Sequence, residues 1–212
     1  MNFKYTNIKR AIDLLCSFIA ILLSGSIILI SAFLVWLEDP SDSPFLKQQR
    51  IGLHENPFFL FKIRTMTSER LRDGRKLTDS ERLLRTGRLF RKLSIDELPQ
   101  LLNLIRGEMS FIGPRPMPVV YLPYFTPKER IRHQVRPGMS GLAQVNGRNF
   151  LSWEQKFAFD VKYVENISFS LDVVIFVKTL LRLAFPFDVG IRGENLSNTS
   201  LHEERKPWTP QN

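Results

Sequence analysis

The sequence predicts a helix-rich α/β protein that consists of one N-terminal membrane helix and one small domain. Two observations lead to this prediction. Residues 14–37 form an uncharged apolar run, and the rest of the chain mixes short extended and helical patterns. A chain of 212 residues suffices for one such element plus one compact domain. We expect a membrane anchor at residues 1–38, a domain at 45–187 and a polar, mobile tail at 188–212.

The apolar run meets the length that a bilayer-spanning helix requires, about 20 residues. It is too long for the core of a signal peptide, and no small-residue cleavage pattern follows it. Lys9 and Arg10 precede the run and a basic domain follows it. A crossing helix is the default, but positive charge on both sides favours a helix that returns to the same face. Ser24, Gly25 and Ser26 at its centre fit a bend and a packing site for another helix equally well.

Within the domain, residues 57–66 are expected to be extended, and Asp73-Gly74 to form a turn. Residues 78–92 and residues 98–105 carry apolar side chains at helical intervals. A capping box at Ser152 opens a further helix with one apolar face.

Residues 167–185 are apolar but carry three charged side chains, so a second membrane span is not expected. Either an amphipathic helix on the membrane surface or a buried helix with a polar edge fits this pattern.

The net charge of +9 is concentrated in residues 62–92, which hold eleven Lys and Arg against four Asp and Glu. Such a block suits nucleic acid, an anionic membrane surface or a phosphorylated small molecule, and charge alone does not choose. The single cysteine, Cys16, excludes a disulfide framework and a Cys-based metal site. The three histidines lack the spacing of zinc ligands.

Asp96 and Glu97 form the most informative pair. Glu97 could simply complete a capping box with Ser94, but Pro99 would then lie inside the helix, where proline is disfavoured. Pro99 fits better as the first residue of a helix, with the two carboxylates at the junction before it. Adjacent carboxylates in a basic environment suit a nucleophile beside a magnesium ligand.

Arginines beside constrained backbone suggest phosphate contacts, because a fixed guanidinium can bind phosphate in bidentate fashion. Arg115 lies between Pro114 and Pro116, Arg136 precedes a Pro-Gly pair, and Arg148 ends a glycine-containing run. One such loop would usually be a surface turn, whereas three in one small domain favour phosphate binding.

Together these residues resemble the bacterial sugar transferase family, the monotopic phosphoglycosyltransferases, in the short class of the bacillosaminyl transferases. The motifs that carry the resemblance extend to about Phe185 and are Lys9-Arg10 with Asp13, Gln48-x-Arg50-x-Gly52, Lys62-Ile63-Arg64-Thr65-Met66, Ser94 to Gln100, Gly113 to Pro116, Arg136 to Gly138 and Gln144 to Asn149. One departure is Gly25, which stands where the family usually has a helix-breaking proline.

The resemblance implies a re-entrant helix with both ends in the cytosol, at the bacterial inner membrane. It also implies transfer of a sugar-1-phosphate from a UDP-sugar, expected to be an acetamido sugar, to undecaprenyl phosphate, with release of UMP. In that reaction Asp96 is the nucleophile that forms a covalent phosphosugar intermediate, and Glu97 with Asp96 holds Mg²⁺. The expected contacts to the phosphates come from basic side chains, namely Lys62, Arg64, Arg91, Arg115, Arg136 and Arg148.

Two other hypotheses remain open at this stage. The same substrates could react by direct transfer, with Asp96 as the base that activates the lipid phosphate. A non-catalytic basic adaptor that binds anionic lipid or nucleic acid would explain the charge, but it leaves Asp96-Glu97 unexplained. We expect membrane lipid and no nucleic acid as partners, and oligomeric state is left open.

Overall fold

The computed structural model describes residues 3–72, 74–147, 150–184 and 200–209. Helix α1 extends over Phe3–Glu38 without interruption. Tyr5–Glu38 is long and apolar enough to cross a membrane. The helix continues through Gly25, and Ser24 Oγ donates a hydrogen bond to the carbonyl of Ala20 at 2.7 Å. The central Ser-Gly-Ser segment therefore does not break the helical hydrogen-bonding pattern.

One stripe of α1 is buried, and the rest of its apolar surface is not covered by protein. The buried positions recur at helical spacing and include Asp13, Ser17, Ser24, Ser31 and Val35. Side chains on the other faces are exposed, with Leu22 at 79% and Leu23 at 74%. Exposed apolar surface of this extent is typical of contact with lipid.

Both ends of α1 are bonded to the domain. Near its start, Arg10 donates to the carbonyls of Leu104 and Ile105, at 2.6 and 3.0 Å. At its end, Glu38 accepts hydrogen bonds from the backbone N–H groups of Arg85 and Thr86. The two ends of the apolar helix are thus fixed to one small body.

Within the described residues, the strands form three two-stranded sheets. Strands β1 (Phe45–Ile51) and β2 (Pro57–Ile63) are an antiparallel hairpin, and β3 (Leu71–Arg72) pairs with β4 (Arg75–Lys76) across the predicted turn at Gly74. Asp73 of that turn lies outside the described residues. Strand β5 (Ser110–Ile112) pairs in parallel with β6 (Gly138–Ser140).

Helices supply most of the domain, as predicted. The α-helices after the anchor are α2 (Asp79–Arg82), α3 (Arg85–Leu93), α4 (Leu101–Arg106), α5 (Pro127–Arg130), α6 (Leu142–Asn146), α7 (Trp153–Glu165), α8 (Phe169–Ala184) and α9 (Leu201–Glu204). Short 3-10 helices at Ile95–Gln100, Val119–Tyr124 and Ile131–Gln134 connect them. A further 3-10 turn, Leu53–Glu55, closes the β1–β2 hairpin.

The single helix predicted over residues 78–92 was wrong, because two helices occupy this stretch. Leu83 leaves the helical path and forms an antiparallel bridge with Met66, so α2 ends at Arg82 and α3 starts at Arg85. Sequence spacing did not reveal this pairing with a distant segment.

The helix predicted at Ser152 is confirmed as α7, with the complete capping box. Helix α8 is not a buried helix with a polar edge, since Phe169, Leu180 and Leu181 are about half exposed while Ile175 is fully buried. This pattern favours an amphipathic helix at a membrane surface.

Part of the predicted mobile tail packs on the domain. Leu201 is fully buried beside Tyr121 and Phe157. Arg205 forms ion pairs with Glu129 and Glu154, at 2.9 and 2.6 Å. Residues 200–209 are therefore a docked segment, which corrects the prediction for them, and residues 188–199 and 210–212 lie outside the described part.

Candidate active site

The 3-10 helix Ile95–Gln100 presents Asp96 and Glu97 in its first turn. The turn begins at Ser94, whose positive φ of 57° ends α3 and reverses the chain. The Ser94 side chain forms no capping hydrogen bond, so the capping-box interpretation was wrong. Pro99 lies inside the 3-10 helix, and α4 begins only at Leu101, which corrects the prediction that Pro99 starts the next helix.

Glu97 is held by two cations. Lys62 Nζ lies 2.8 Å from Glu97 Oε1, and Arg115 Nη2 lies 3.1 Å from the same oxygen. Burial acts to raise the pKa of Glu97, but the positive charges of Arg115 and Lys62 outweigh it and hold the pKa well below the usual range. Glu97 is therefore an anion at any physiological pH.

For Asp96, burial outweighs the effect of the nearby positive charges on the pKa. The residue is only 7% exposed, and its nearest cation, Lys62 Nζ, lies 3.8 Å from Oδ2. Burial and the negative charge of Glu97 raise the pKa of Asp96, against the opposing charges of Lys62, Arg91 and Arg115. A raised pKa makes the carboxylate more basic and a better nucleophile or base.

Strand geometry brings Lys62 to the carboxylates. Alternation along β2 puts Phe58, Leu60 and Lys62 on one face, where Phe58 and Leu60 belong to the core. Lys62 lies at the end of this face, and β2 packs directly against the 3-10 helix that carries Asp96. The strand thus delivers a half-buried ammonium group to the pair.

The backbone beside Arg115 is fixed by a close approach between two glycines. A Cβ on Gly113 would lie 2.4 Å from the carbonyl oxygen of Arg136, and one on Gly138 would lie 2.1 Å from the nitrogen of Gly113. Because only glycine permits this contact between β5 and β6, the loop that carries Arg115 leaves the sheet in one defined direction.

The structure brings some of the predicted phosphate-binding residues to the pair. Lys62 and Arg115 contact the carboxylates, and Arg91 lies close enough to lower the pKa of Asp96 by its charge. Arg91 Nε also donates to Thr65 Oγ1 at 2.9 Å, which orients its exposed guanidinium.

Other predicted residues have different roles. Arg64 is buried and donates to the carboxylate and carbonyl of Asp39 and to the carbonyls of Asp42 and Ser43, so it fastens the linker after α1. Its predicted phosphate contact is not supported, because all three of its nitrogens are engaged in these bonds. Arg136 Nε donates to the carbonyl of Gly107 at the end of α4. Arg148 lies outside the described residues.

Arg132 and Asp160 were missed at the sequence level. Arg132 is 2% exposed, pairs with Asp160 and donates to the carbonyl of Arg115. One signal was available: Asp160 interrupts the apolar face of α7, between Phe157 and Val164. A carboxylate on a buried helix face needs a partner.

The carboxylate pair fits Mg²⁺ in its donor chemistry. Mg²⁺ is typically bound by one or two carboxylates together with substrate phosphates and water. Lys62 and Arg115 both bind Oε1 of Glu97, and Asp96 is adjacent. The described residues contain no group of three or more His, Cys, Asp or Glu able to hold a metal by themselves. A metal here would therefore need the phosphates of a ligand as additional donors.

Comparison with known proteins finds a matching family model and several similar sequences. The family model described as bacterial sugar transferase matches residues 4–185. An uncharacterized sugar transferase, EpsL, of Bacillus subtilis is 50% identical over 176 residues, which cover 83% of this chain and 87% of that protein.

Two relatives have more specific names. The UDP-glucose:undecaprenyl-phosphate glucose-1-phosphate transferase of Caulobacter vibrioides is 36% identical, over 81% of this chain and 68% of that protein. The UDP-N-acetylgalactosamine-undecaprenyl-phosphate N-acetylgalactosaminephosphotransferase of Aeromonas hydrophila is 39% identical, over 83% of this chain and 43% of that protein.

Proposed function

Since this chain belongs to the bacterial sugar transferase family, we propose that it transfers a sugar-1-phosphate from a UDP-sugar to undecaprenyl phosphate and releases UMP. The reaction would be the first membrane step of glycoconjugate or polysaccharide synthesis. The single observation that carries the proposal is the Asp96-Glu97 pair, whose two pKa values are shifted in opposite directions beside Lys62 and Arg115.

The first step is attack of an Asp96 carboxylate oxygen on the phosphorus that bears the sugar. A new oxygen–phosphorus bond forms, the bond to the UMP oxygen breaks, and UMP leaves with that electron pair. Lys62, Arg91 and Arg115 offset the negative charge of the diphosphate as it approaches the carboxylates.

In the second step, an oxygen of undecaprenyl phosphate attacks the same phosphorus. The bond to Asp96 breaks, which regenerates the carboxylate and gives the diphosphate-linked lipid sugar. Mg²⁺ held by Glu97 and Asp96 would neutralise charge on the donor phosphates. Glu97 suits this role because its depressed pKa keeps it ionised.

Direct transfer, with Asp96 as a base, is the second candidate, because a raised pKa suits a base as well as a nucleophile. The two routes differ when the acceptor is withheld. Covalent attack gives UMP and a phosphosugar bound to Asp96, whereas direct transfer gives neither.

The contacts at the two ends of α1 support the proposal of a re-entrant anchor. A hydrocarbon core is about 30 Å thick, so a crossing helix would place its two ends on opposite sides of the bilayer. Here Arg10 and Glu38 both bond to the same domain. A helix whose two ends both stay on one face of the membrane allows this, although no break in the helical hydrogen bonding accompanies it, and the domain would then lie on the cytosolic side of the inner membrane.

The test uses purified protein in lipid nanodiscs with a panel of radiolabelled UDP-sugars. We expect UMP release to be fastest with an acetamido sugar, and a labelled adduct to form without acceptor. Asp96→Asn should abolish both signals, while Asp79→Asn, a matched change at a carboxylate 89% exposed, should leave them intact. Full turnover by Asp96→Asn would refute the covalent mechanism.

A further inference from the structure

Arg132 is a buried cation between two aromatic rings. Its side chain is 1% exposed, and its guanidinium carbon lies 5.5 Å from the ring centroid of Phe125 and 5.6 Å from that of Phe157. Asp160 of α7, 2% exposed, neutralises it: Arg132 Nε and Nη2 lie 3.0 and 2.7 Å from the same carboxylate oxygen, Oδ2. The pair is therefore rigid and removed from solvent.

Arg132 makes a further bond, to the loop that carries Arg115. Its Nη2 donates to the carbonyl of Arg115 at 2.7 Å, and the side chain of Arg115 holds Glu97 at 3.1 Å. A continuous path thus joins Asp160, Arg132, Arg115 and Glu97. The donor that binds the Arg115 carbonyl is the same nitrogen that binds Asp160, so the position of the loop depends on the ion pair.

The buried Arg132–Asp160 ion pair is not an efficient way to stabilise the folded state. Desolvation of two charges usually consumes the gain from their attraction, and apolar residues of similar size often serve folding equally well. Oδ1 of Asp160 has no hydrogen-bond partner within the described residues, so the carboxylate is not even fully satisfied. The contact between this buried pair and the Arg115 loop therefore points to a role other than stabilising the fold.

His133, which lies next to Arg132, adds no second positive charge. Its Nε2 lies 3.3 Å from Arg132 Nη1 and its Nδ1 lies 3.3 Å from Glu55 Oε1. Burial and the charges of Arg132 and Arg130 lower the pKa of His133 to about 3. The ring is therefore neutral at physiological pH and can accept a hydrogen bond from the guanidinium.

We propose that Arg132, held by Asp160, is a positioning residue that fixes the backbone of Arg115 so that the Arg115 guanidinium meets the diphosphate of the donor. This inference rests on the proposed function. Arg132 touches no reacting atom in it, and its effect on turnover passes through Arg115.

A double-mutant cycle tests this dependence. The variants are Arg132→Lys, Arg115→Lys and the two combined, assayed for kcat and KM with the UDP-sugar in nanodiscs. Lysine keeps the buried charge beside Asp160, but its single ammonium group cannot reproduce the guanidinium's bonds to Asp160 and to the Arg115 carbonyl. We expect Arg132→Lys to lower kcat/KM about 10- to 100-fold with Arg115 present. In the Arg115→Lys background the loss should shrink to about 3-fold or less.

Two controls separate positioning from folding. Arg132→Met/Asp160→Leu removes both charges together; it should fold and still show the kcat/KM loss. Ile175→Ala, fully buried in a different apolar cluster, should lower the unfolding temperature while retaining kcat/KM.

Equal fold-losses in the two Arg115 backgrounds would overturn the inference and leave the proposed function intact. Unchanged turnover in Arg115→Lys alone would instead overturn the role of Arg115 in the proposed function, and the inference with it.

Discussion

Asp172 of α8 helps to fasten the start of α1, which Arg10 also bonds to the domain, and its removal should weaken that attachment. Its Oδ2 accepts hydrogen bonds from the Tyr5 hydroxyl and from Lys9 Nζ, the latter at 2.6 Å, and its Oδ1 accepts from the Tyr163 hydroxyl at 2.7 Å. The carboxylate is 7% exposed. Three donors from two other helices therefore depend on one acceptor.

The magnitude follows from what each donor can do after Asp172→Ala. Tyr163 has an alternative acceptor, the carbonyl of Ile112 at 3.1 Å, so its loss is small. Tyr5 and Lys9 lose bonds to a charged group, each worth about 1.5–3 kcal/mol. The Lys9 side chain is 12% exposed, so water compensates only in part. We expect a total loss of about 3–5 kcal/mol.

Thermal unfolding in nanodiscs measures this loss. A decrease of about 6–20 °C corresponds to it for a chain of this length. Lys178→Ala, an exposed change on the same helix, is the control and should alter the midpoint by less than about 2 °C. Asp172→Asn keeps one acceptor oxygen and should lie between the two. A midpoint for Asp172→Ala within about 2 °C of the unmodified protein would refute the reasoning.

Four more predictions follow from the site and the docked tail. Because burial raises the pKa of Asp96, kcat/KM should fall as pH decreases through a value above the ordinary range of aspartate pKa values. An acid limb of the pH–kcat/KM profile at or below that range would contradict this. Lys62→Met removes a charge that lowers this pKa, so the acid limb should move to higher pH in the residual activity, and a shift to lower pH would be inconsistent. A carboxyl whose pKa is higher in the folded than in the unfolded protein contributes stability below its unfolded pKa, and this stability is lost as pH rises through the folded pKa. Asp96→Asn should therefore increase the unfolding temperature at pH 7. A decrease in the unfolding temperature would argue against the cost assigned to burial of the Asp96 carboxylate. Leu201→Ala should cost about 2–5 kcal/mol in urea unfolding, whereas a loss below about 1 kcal/mol would show that the tail is not docked.

Local sequence signals predicted the elements whose causes are local. The capping box at Ser152 predicted α7, and the turn at Asp73-Gly74 predicted the connection between two strands. These signals depend on residues within a few positions of each other, which the sequence displays directly.

Contacts between residues far apart in the sequence could not be predicted from local signals. Residues 78–92 carry helical spacing throughout, yet a bridge from Leu83 to Met66 divides them. Likewise, nothing local distinguished Arg64, which binds the linker, from Lys62 two positions earlier, which binds Glu97. Strand alternation would put residues two positions apart on the same face, but β2 ends at Ile63, and Arg64 beyond it takes its role from its contacts with the linker.

By itself, the sequence predicted the long apolar N-terminal helix, the helix-rich α/β class and Asp96-Glu97 as the centre of the candidate site, because each rests on composition or on adjacent residues. Only the tertiary structure decided which cations surround that pair, that Arg132 and Asp160 support the Arg115 loop, and that both ends of α1 reach one domain. These contacts join residues far apart in the chain, and the free energy that selects them comes from burial and charge pairing in the assembled fold.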